Sequence, residues 1–176
     1  MIEAEIQERA AGIKLLLMDC DGVLTDGRIT LLPNGDEQKT FHVRDGQGIV
    51  LLHRAGLRSG IISGRNSSLV ERRAKELGIE FIRQGAWNKL GDFEEILEEA
   101  GLTLEETAFM GDDVTDIPLM RRVGLAIAVA DAVLETKQVA HLITESNGGF
   151  GAVREISDFV IKSQQKWDNL MKQYFD

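Results

Sequence analysis

Short apolar runs alternate along this chain with longer stretches in which apolar residues recur every three or four positions. The runs over 13–18, 58–62, 80–82, 107–110, 125–129 and 141–144 are brief and dense enough to predict buried strands. The stretches over 2–11, 46–55, 67–77, 89–100 and 115–122 predict amphipathic helices, and a mainly helical tail is expected over 150–174. Glycine stands just past several of these stretches, at Gly12, Gly56, Gly78 and Gly101, where helices commonly stop. One region breaks the alternation. Two extended runs flank Asn34-Gly35 and predict a β-hairpin over about 27–43, projecting just after the first strand. Strands alternating with helices define a doubly wound α/β domain with a mainly parallel sheet, here a single domain over 1–176.

Such a sheet gathers the carboxyl ends of its strands along one edge. The residues that follow the apolar runs therefore matter most. Asp19 and Asp21 follow the first run, Ser63-Gly64-Arg65 the second, and Asp112-Asp113 the fourth. Far apart in sequence, they are expected in one crevice. An exposed turn would also favour Asp and Gly, but it would not place them so regularly at strand ends.

Composition narrows the partners. The chain has 176 residues, 43% hydrophobic and 28% charged, with a net charge of -9. An acidic surface disfavours nucleic acid and anionic membranes, which need basic patches. No apolar run reaches membrane-spanning length, and the amino-terminal segment has no leader-like apolar core. The lone cysteine, Cys20, can form no internal disulfide and, between two aspartates, is expected to stay protonated. These features predict a cytoplasmic protein.

Two carboxylates at the end of a buried strand repel unless a cation lies between them, and a hard divalent ion such as Mg2+ suits carboxylate and carbonyl oxygens. A rigid Asp19 can attack phosphorus to form an aspartyl-phosphate, while Asp21 protonates the leaving alkoxide and then activates water. Asp112 can add a metal oxygen, and Ser63, Gly64 and Lys89 can hold phosphate oxygens. The hydroxyl of Thr25 lies close to the same loop.

DCDGVLTDG, IISGR, Lys89 and GDDVTD resemble the four motifs of the haloacid dehalogenase superfamily, in the right order. The resemblance implies Asp19 as nucleophile and metal ligand. It implies Asp21 as acid/base and as a metal ligand through its backbone carbonyl, with Ser63 and Lys89 on the phosphoryl group. Asp112 would be the metal carboxylate, Asp116 a brace for Lys89 or the metal, and Asp113 a supporting residue. One hairpin and one helix fill the chain between Asp21 and Ser63, leaving no room for a cap domain. TDG…FHVRDGQGI, SGR, NKL and GGFGAVRE are similar to capless members that hydrolyse 3-deoxy-D-manno-octulosonate 8-phosphate in lipopolysaccharide precursor synthesis. That likeness implies a homotetramer in which hairpins help assembly and neighbouring subunits close each site. It also makes Arg44 and Arg65 contacts for the substrate's carboxylate or phosphate. Phe150 departs from the arginine expected in GGRGAVRE, which keeps a nine-carbon acid 9-phosphate or another small phosphosugar as the near alternative. A phospho-accepting receiver module is more distant, since its acceptor aspartate follows a middle strand.

Overall fold

The computed structural model describes residues 2–175. Helix α1 (Ile2–Gly12) leads into β1 (Leu15–Met18), whose four residues are all buried. The projecting segment carries only two short antiparallel strands, β2 (Thr30–Leu31) and β3 (Glu37–Gln38), paired Thr30 to Gln38 and Leu31 to Glu37. Next come α2 (Val43–Arg54), β4 (Arg58–Ser63), α3 (Ser68–Leu77), β5 (Phe81–Gln84), α4 (Lys89–Ala100) and β6 (Thr107–Gly111). A 3-10 turn over Val114–Asp116 enters α5 (Ile117–Met120), followed by β7 (Leu125–Ala128), α6 (Leu134–Lys137) and β8 (Leu142–Ile143). The tail forms α7 (Ala152–Ser163) and α8 (Trp167–Phe175), separated at Gln165, whose φ of 57° is left-handed.

The main sheet has the order β5-β4-β1-β6-β7-β8, with every neighbouring pair parallel. This is the doubly wound α/β arrangement that the alternation predicts. From β1 the chain winds outward through β4 and β5, then crosses back to β6 and winds the other way. The reversal falls between β1 and β6, and a crevice opens there beyond the strand ends. Helices α1, α2 and α7 pack together on one side, with α3 against α2, whereas α4 and α5 pack together against β4 and β6. With both faces covered, the central strands read as unbroken apolar runs rather than alternating ones.

Two expectations shift at α2. The predicted helix over 46–55 begins earlier, at Val43, so Asp45, Gly46 and Gly48 are helical and buried. The glycines are there for packing. A Cβ on Gly46 would strike the Arg73 side chain of α3, and one on Gly48 would meet the Arg154 backbone of α7 at 2.8 Å. The helix predicted over 115–122 is shorter and starts as a 3-10 turn, because Asp116 turns back to bond the backbone before it.

Candidate active site

β1 delivers Asp19 to the crevice, where its N–H donates to the Met110 carbonyl of β6 at 3.0 Å, so the loop after β1 is tied to the neighbouring strand. The loop then turns tightly over the Cys20 carbonyl, which accepts from the N–H groups of Leu24 and Thr25 at 2.9 and 3.0 Å. Gly22 has φ of 98°, and a Cβ there would overlap the Asp112 carboxylate. Glycine is thus required twice at this position, for backbone hand and for clearance. The Thr25 hydroxyl is buried and spans the loop between the Cys20 carbonyl and the Gly27 N–H at 3.4 and 3.3 Å. It braces the loop and does not line the crevice. Burial, followed by the charges of Asp21 and Asp19, pushes the Cys20 thiol pKa up and leaves it inert.

Lys89, at the start of α4, is 8% exposed and lies 3.0 Å from Asp19 and 2.7 Å from Asp116. Burial alone would lower the ammonium pKa, but the two carboxylates together overcome it and hold the group charged. Asp116 is fully engaged: Oδ1 accepts from Lys89, and Oδ2 accepts from the N–H groups of Asp112 and Asp113 at 3.0 and 3.3 Å. Asp113 is exposed, and its carboxylate caps the 3-10 turn by accepting from the Val114 N–H at 2.6 Å. Its contact is to the backbone, away from the crevice lining.

Asp21 sits beside Asp19 in a different setting. Its Oδ1 accepts from Lys39 of the hairpin, and the Arg65 guanidinium stands 3.4 Å from Oδ2. Arg65 also binds Glu37 at 2.9 Å. Asp19, Asp21, Ser63, Gly64, Arg65 and Lys89 line one cavity of about 600 Å³ at the strand ends. Ser63 closes β4, 3% exposed, and its hydroxyl accepts from the Arg65 N–H at 3.4 Å. Arg44 stands apart. It is exposed on α2, forms no ion pair among the described residues and is absent from the cavity wall.

Three features of this region are invisible in the strand-end pattern. Trp87 stands at the cavity mouth, 98% exposed. Lys39 reaches Asp21 from the hairpin, where half-buried Glu37 and Lys39 alternate with exposed Gln38 and Thr40; both inward residues are charged, so hydropathy does not mark them. The third is the Gly148-Gly149 pair ahead of the helical tail. A Cβ on Gly148 would overlap the Gly22 carbonyl, and one on Gly149 would overlap Thr25 and Asp26 backbone. This pair is pressed against the Asp19 loop, and the Gly149 N–H donates to the Val23 carbonyl at 2.9 Å. Buried Asp45 fixes the same segment from α2, accepting from the N–H groups of Gly151 and Arg154 at 3.1 and 2.9 Å.

The donor set suits a hard cation. Asp19, Asp112 and Asp116 each bring a carboxylate oxygen within 4.8 Å of the others. Asp116 is already saturated by Lys89 and backbone N–H groups, whereas Asp112 Oδ1 is buried without a hydrogen-bond partner. Burial pushes the Asp19 carboxyl up to about 6, against the pull of Lys89 and with repulsion from Asp116. Burial, then the charges of Asp19 and Asp116, pushes Asp112 up to about 8. A partnerless carboxylate oxygen among raised carboxyls is the setting that a divalent ion relieves.

A strand-end carboxylate with a buried lysine on it and a partnerless carboxylate on the adjacent strand is an arrangement suited to metal-assisted hydrolysis of phosphate esters. The haloacid dehalogenase-like hydrolase family model matches residues 73–156. The 3-deoxy-D-manno-octulosonate 8-phosphate phosphatase of Escherichia coli (strain B / BL21-DE3) is 43% identical over 167 residues, covering 95% of this chain and 89% of that protein. The solved Yersinia pestis phosphatase of the same name superposes with a TM-score of 0.92 at 43% identity, covering 93% of this chain and 89% of that one. The Moraxella catarrhalis phosphatase, solved with magnesium ion, phosphate ion and KDO, gives 0.94 at 40% identity, covering 97% and 98%. The chain belongs to the haloacid dehalogenase-like hydrolases. Phosphatase activity is what it shares with these relatives, each of them named for an eight-carbon sugar-acid phosphate.

Proposed function

We propose that this protein hydrolyses 3-deoxy-D-manno-octulosonate 8-phosphate to the free sugar acid and phosphate, in the cytoplasm, through an aspartyl-phosphate on Asp19. The observation that carries this reading is Lys89 held 3.0 Å from Asp19 at the wall of the strand-end cavity. Asp19 is the nucleophile because β1 and the Met110 carbonyl fix its backbone. Lys89 offsets the charge of nucleophile and phosphate together, and Asp116 holds Lys89 there. The Ser63 hydroxyl and the backbone N–H groups after it, which line the same cavity, donate to the phosphoryl oxygens. Asp21 gives a proton to the leaving alkoxide and later takes one from water. Asp19, Asp112 and the Asp21 carbonyl would hold Mg2+, which would supply charge screening between phosphate and carboxylate. Arg65, 45% exposed at its side chain, is the guanidinium available to the sugar acid's carboxylate. Thr25 and Asp113 serve by shaping their loops, and Arg44 reaches substrate only within an assembly.

That assembly is a homotetramer in this reading. The crevice has no cap domain over it, and the hairpin region exposes Ile29, Leu31 and Val43 at 54%, 74% and 79%. An open site beside an apolar projection is closed by a second copy.

Phosphate release with Mg2+ tests the proposal on the eight-carbon substrate, a nine-carbon acid 9-phosphate and common hexose phosphates, with Asp19→Asn as control. Strong preference for the eight-carbon ester, lost in the control, is expected. Release that persists in Asp19→Asn refutes the aspartyl-phosphate. Activity confined to the nine-carbon ester moves the substrate assignment and makes exposed Phe150 the first residue to replace. Sedimentation of the protein at working concentration checks the tetramer.

A further inference from the structure

Asp21 must present a proton to the leaving oxygen and then recover one from water, so its carboxyl has to be aimed as well as available. Its neighbour on the chain, Asp19, is fixed by β1, but Asp21 lies beyond the strand, in a loop. Two groups hold its Oδ1, the Thr25 hydroxyl of the same loop at the long distance of 3.5 Å and, as the charged partner from outside the loop, Lys39. The Lys39 side chain is 2% exposed, and its Nζ donates to Asp21 Oδ1. Lys39 is absent from the wall of the catalytic cavity. Its stem lies in a separate cleft with Phe41, Leu69 and Arg73. It therefore approaches the carboxylate from behind, on the side away from the substrate.

The pairing is specific to one face of the hairpin. Glu37 and Lys39 are two residues apart and point the same way, Glu37 to Arg65 and Lys39 to Asp21. Arg65 stands 3.4 Å from the other Asp21 oxygen, but its guanidinium is shared with Glu37, is 45% exposed and lines the cavity. Lys39 is buried and pairs with Asp21 alone among the described carboxylates. We propose that Lys39 is a positioning residue that locks the Asp21 side chain toward the leaving group and makes the orientation of the proton donor depend on the hairpin. The inference rests on the assignment of Asp21 as the proton donor.

The test is the dependence of kcat/KM on the leaving group. This constant reports the steps up to transfer of phosphate to Asp19, before water enters. A sugar alkoxide needs a proton to leave, whereas p-nitrophenolate does not. Lys39→Met is therefore expected to lower kcat/KM for 3-deoxy-D-manno-octulosonate 8-phosphate by about 30-fold or more, and for p-nitrophenyl phosphate by less than about threefold. Lys39→Arg should restore most of the loss, and Lys39→Gln, a neutral donor, should fall between; it carries the test if the Met variant does not fold. Asp21→Asn must show the same split. Equal losses on both esters in the Lys39 variants, or none, overturn the inference while Asp21→Asn still shows the split. If Asp21→Asn shows no split, the assignment of Asp21 fails instead.

Discussion

Replacing Asp112 by asparagine should stabilise the metal-free protein while removing its response to Mg2+. The Asp112 carboxyl is pushed to about 8 from 3.8, first by burial and then by Asp19 and Asp116. A carboxyl with a raised folded pKa binds its proton more tightly folded than unfolded. Its contribution thus becomes less favourable as pH rises from about 4 to about 8 and changes no further above that. At pH 7 the distance from 3.8 corresponds to a penalty of at most roughly 4 kcal/mol. Water in the open crevice screens part of this, so about 1–2 kcal/mol is the realistic gain on neutralisation. For a domain of this size that is a rise in Tm of roughly 2–8 °C. The assay is thermal unfolding in EDTA and in excess Mg2+, from pH 5 to pH 8.5. The parent should lose stability in EDTA as pH rises, and should gain more from Mg2+ at pH 8 than at pH 5, because protons must leave before the ion binds. Asp112→Asn should start higher in EDTA, show a shallower pH slope that ends near the Asp19 value of about 6, and gain little from Mg2+. A lower Tm than the parent in EDTA, or an undiminished Mg2+ response, refutes the reasoning.

Asp45→Ala leaves the Gly151 and Arg154 N–H groups without their buried acceptor; a loss of about 1–3 kcal/mol, read by urea unfolding, is expected. Gly148→Ala drives a methyl into the Gly22 carbonyl; it should lower Tm by several degrees and cut phosphate release more than tenfold, since the displaced loop carries Asp21. Trp87→Ala removes an exposed ring from the cavity mouth; Tm should stay within about 2 °C of the parent while KM for the sugar phosphate rises.

Legibility in the sequence follows physical cause. The strands could be read because both sheet faces are covered, which turns β1, β4, β6 and β7 into dense apolar runs with few competing signals. The crevice residues could be placed because a doubly wound sheet leaves its strand ends on one edge, and Asp19, Ser63 and Asp112 stand at such ends. The hairpin's inner face could not be read the same way. Glu37 and Lys39 are charged, so a hydropathy pattern assigns them to solvent, and only their partners Arg65 and Asp21 explain their burial. Glycine was ambiguous for a related reason. Gly148-Gly149 and Gly46-Gln47-Gly48 look like breaks locally, and what they permit is contact with segments distant in sequence, Gly148 with Gly22, Gly48 with Arg154 and Gly46 with Arg73. Helix α6, four residues long, is too short for periodicity to show.

The register of β1 on β6 gives the site a history during synthesis. Asp19 and its loop leave the ribosome long before Asp112, yet Met18 pairs with Met110, and the Asp19 N–H needs the Met110 carbonyl. A nascent chain that ends with α4 has Asp19 and Lys89 but neither Asp112 nor Asp116, the carboxylate that pairs with Lys89. The Gly148-Gly149 segment that presses on the Asp19 loop arrives later still. On the proposed roles of these residues, reactivity is thereby withheld until nearly the whole polypeptide has folded.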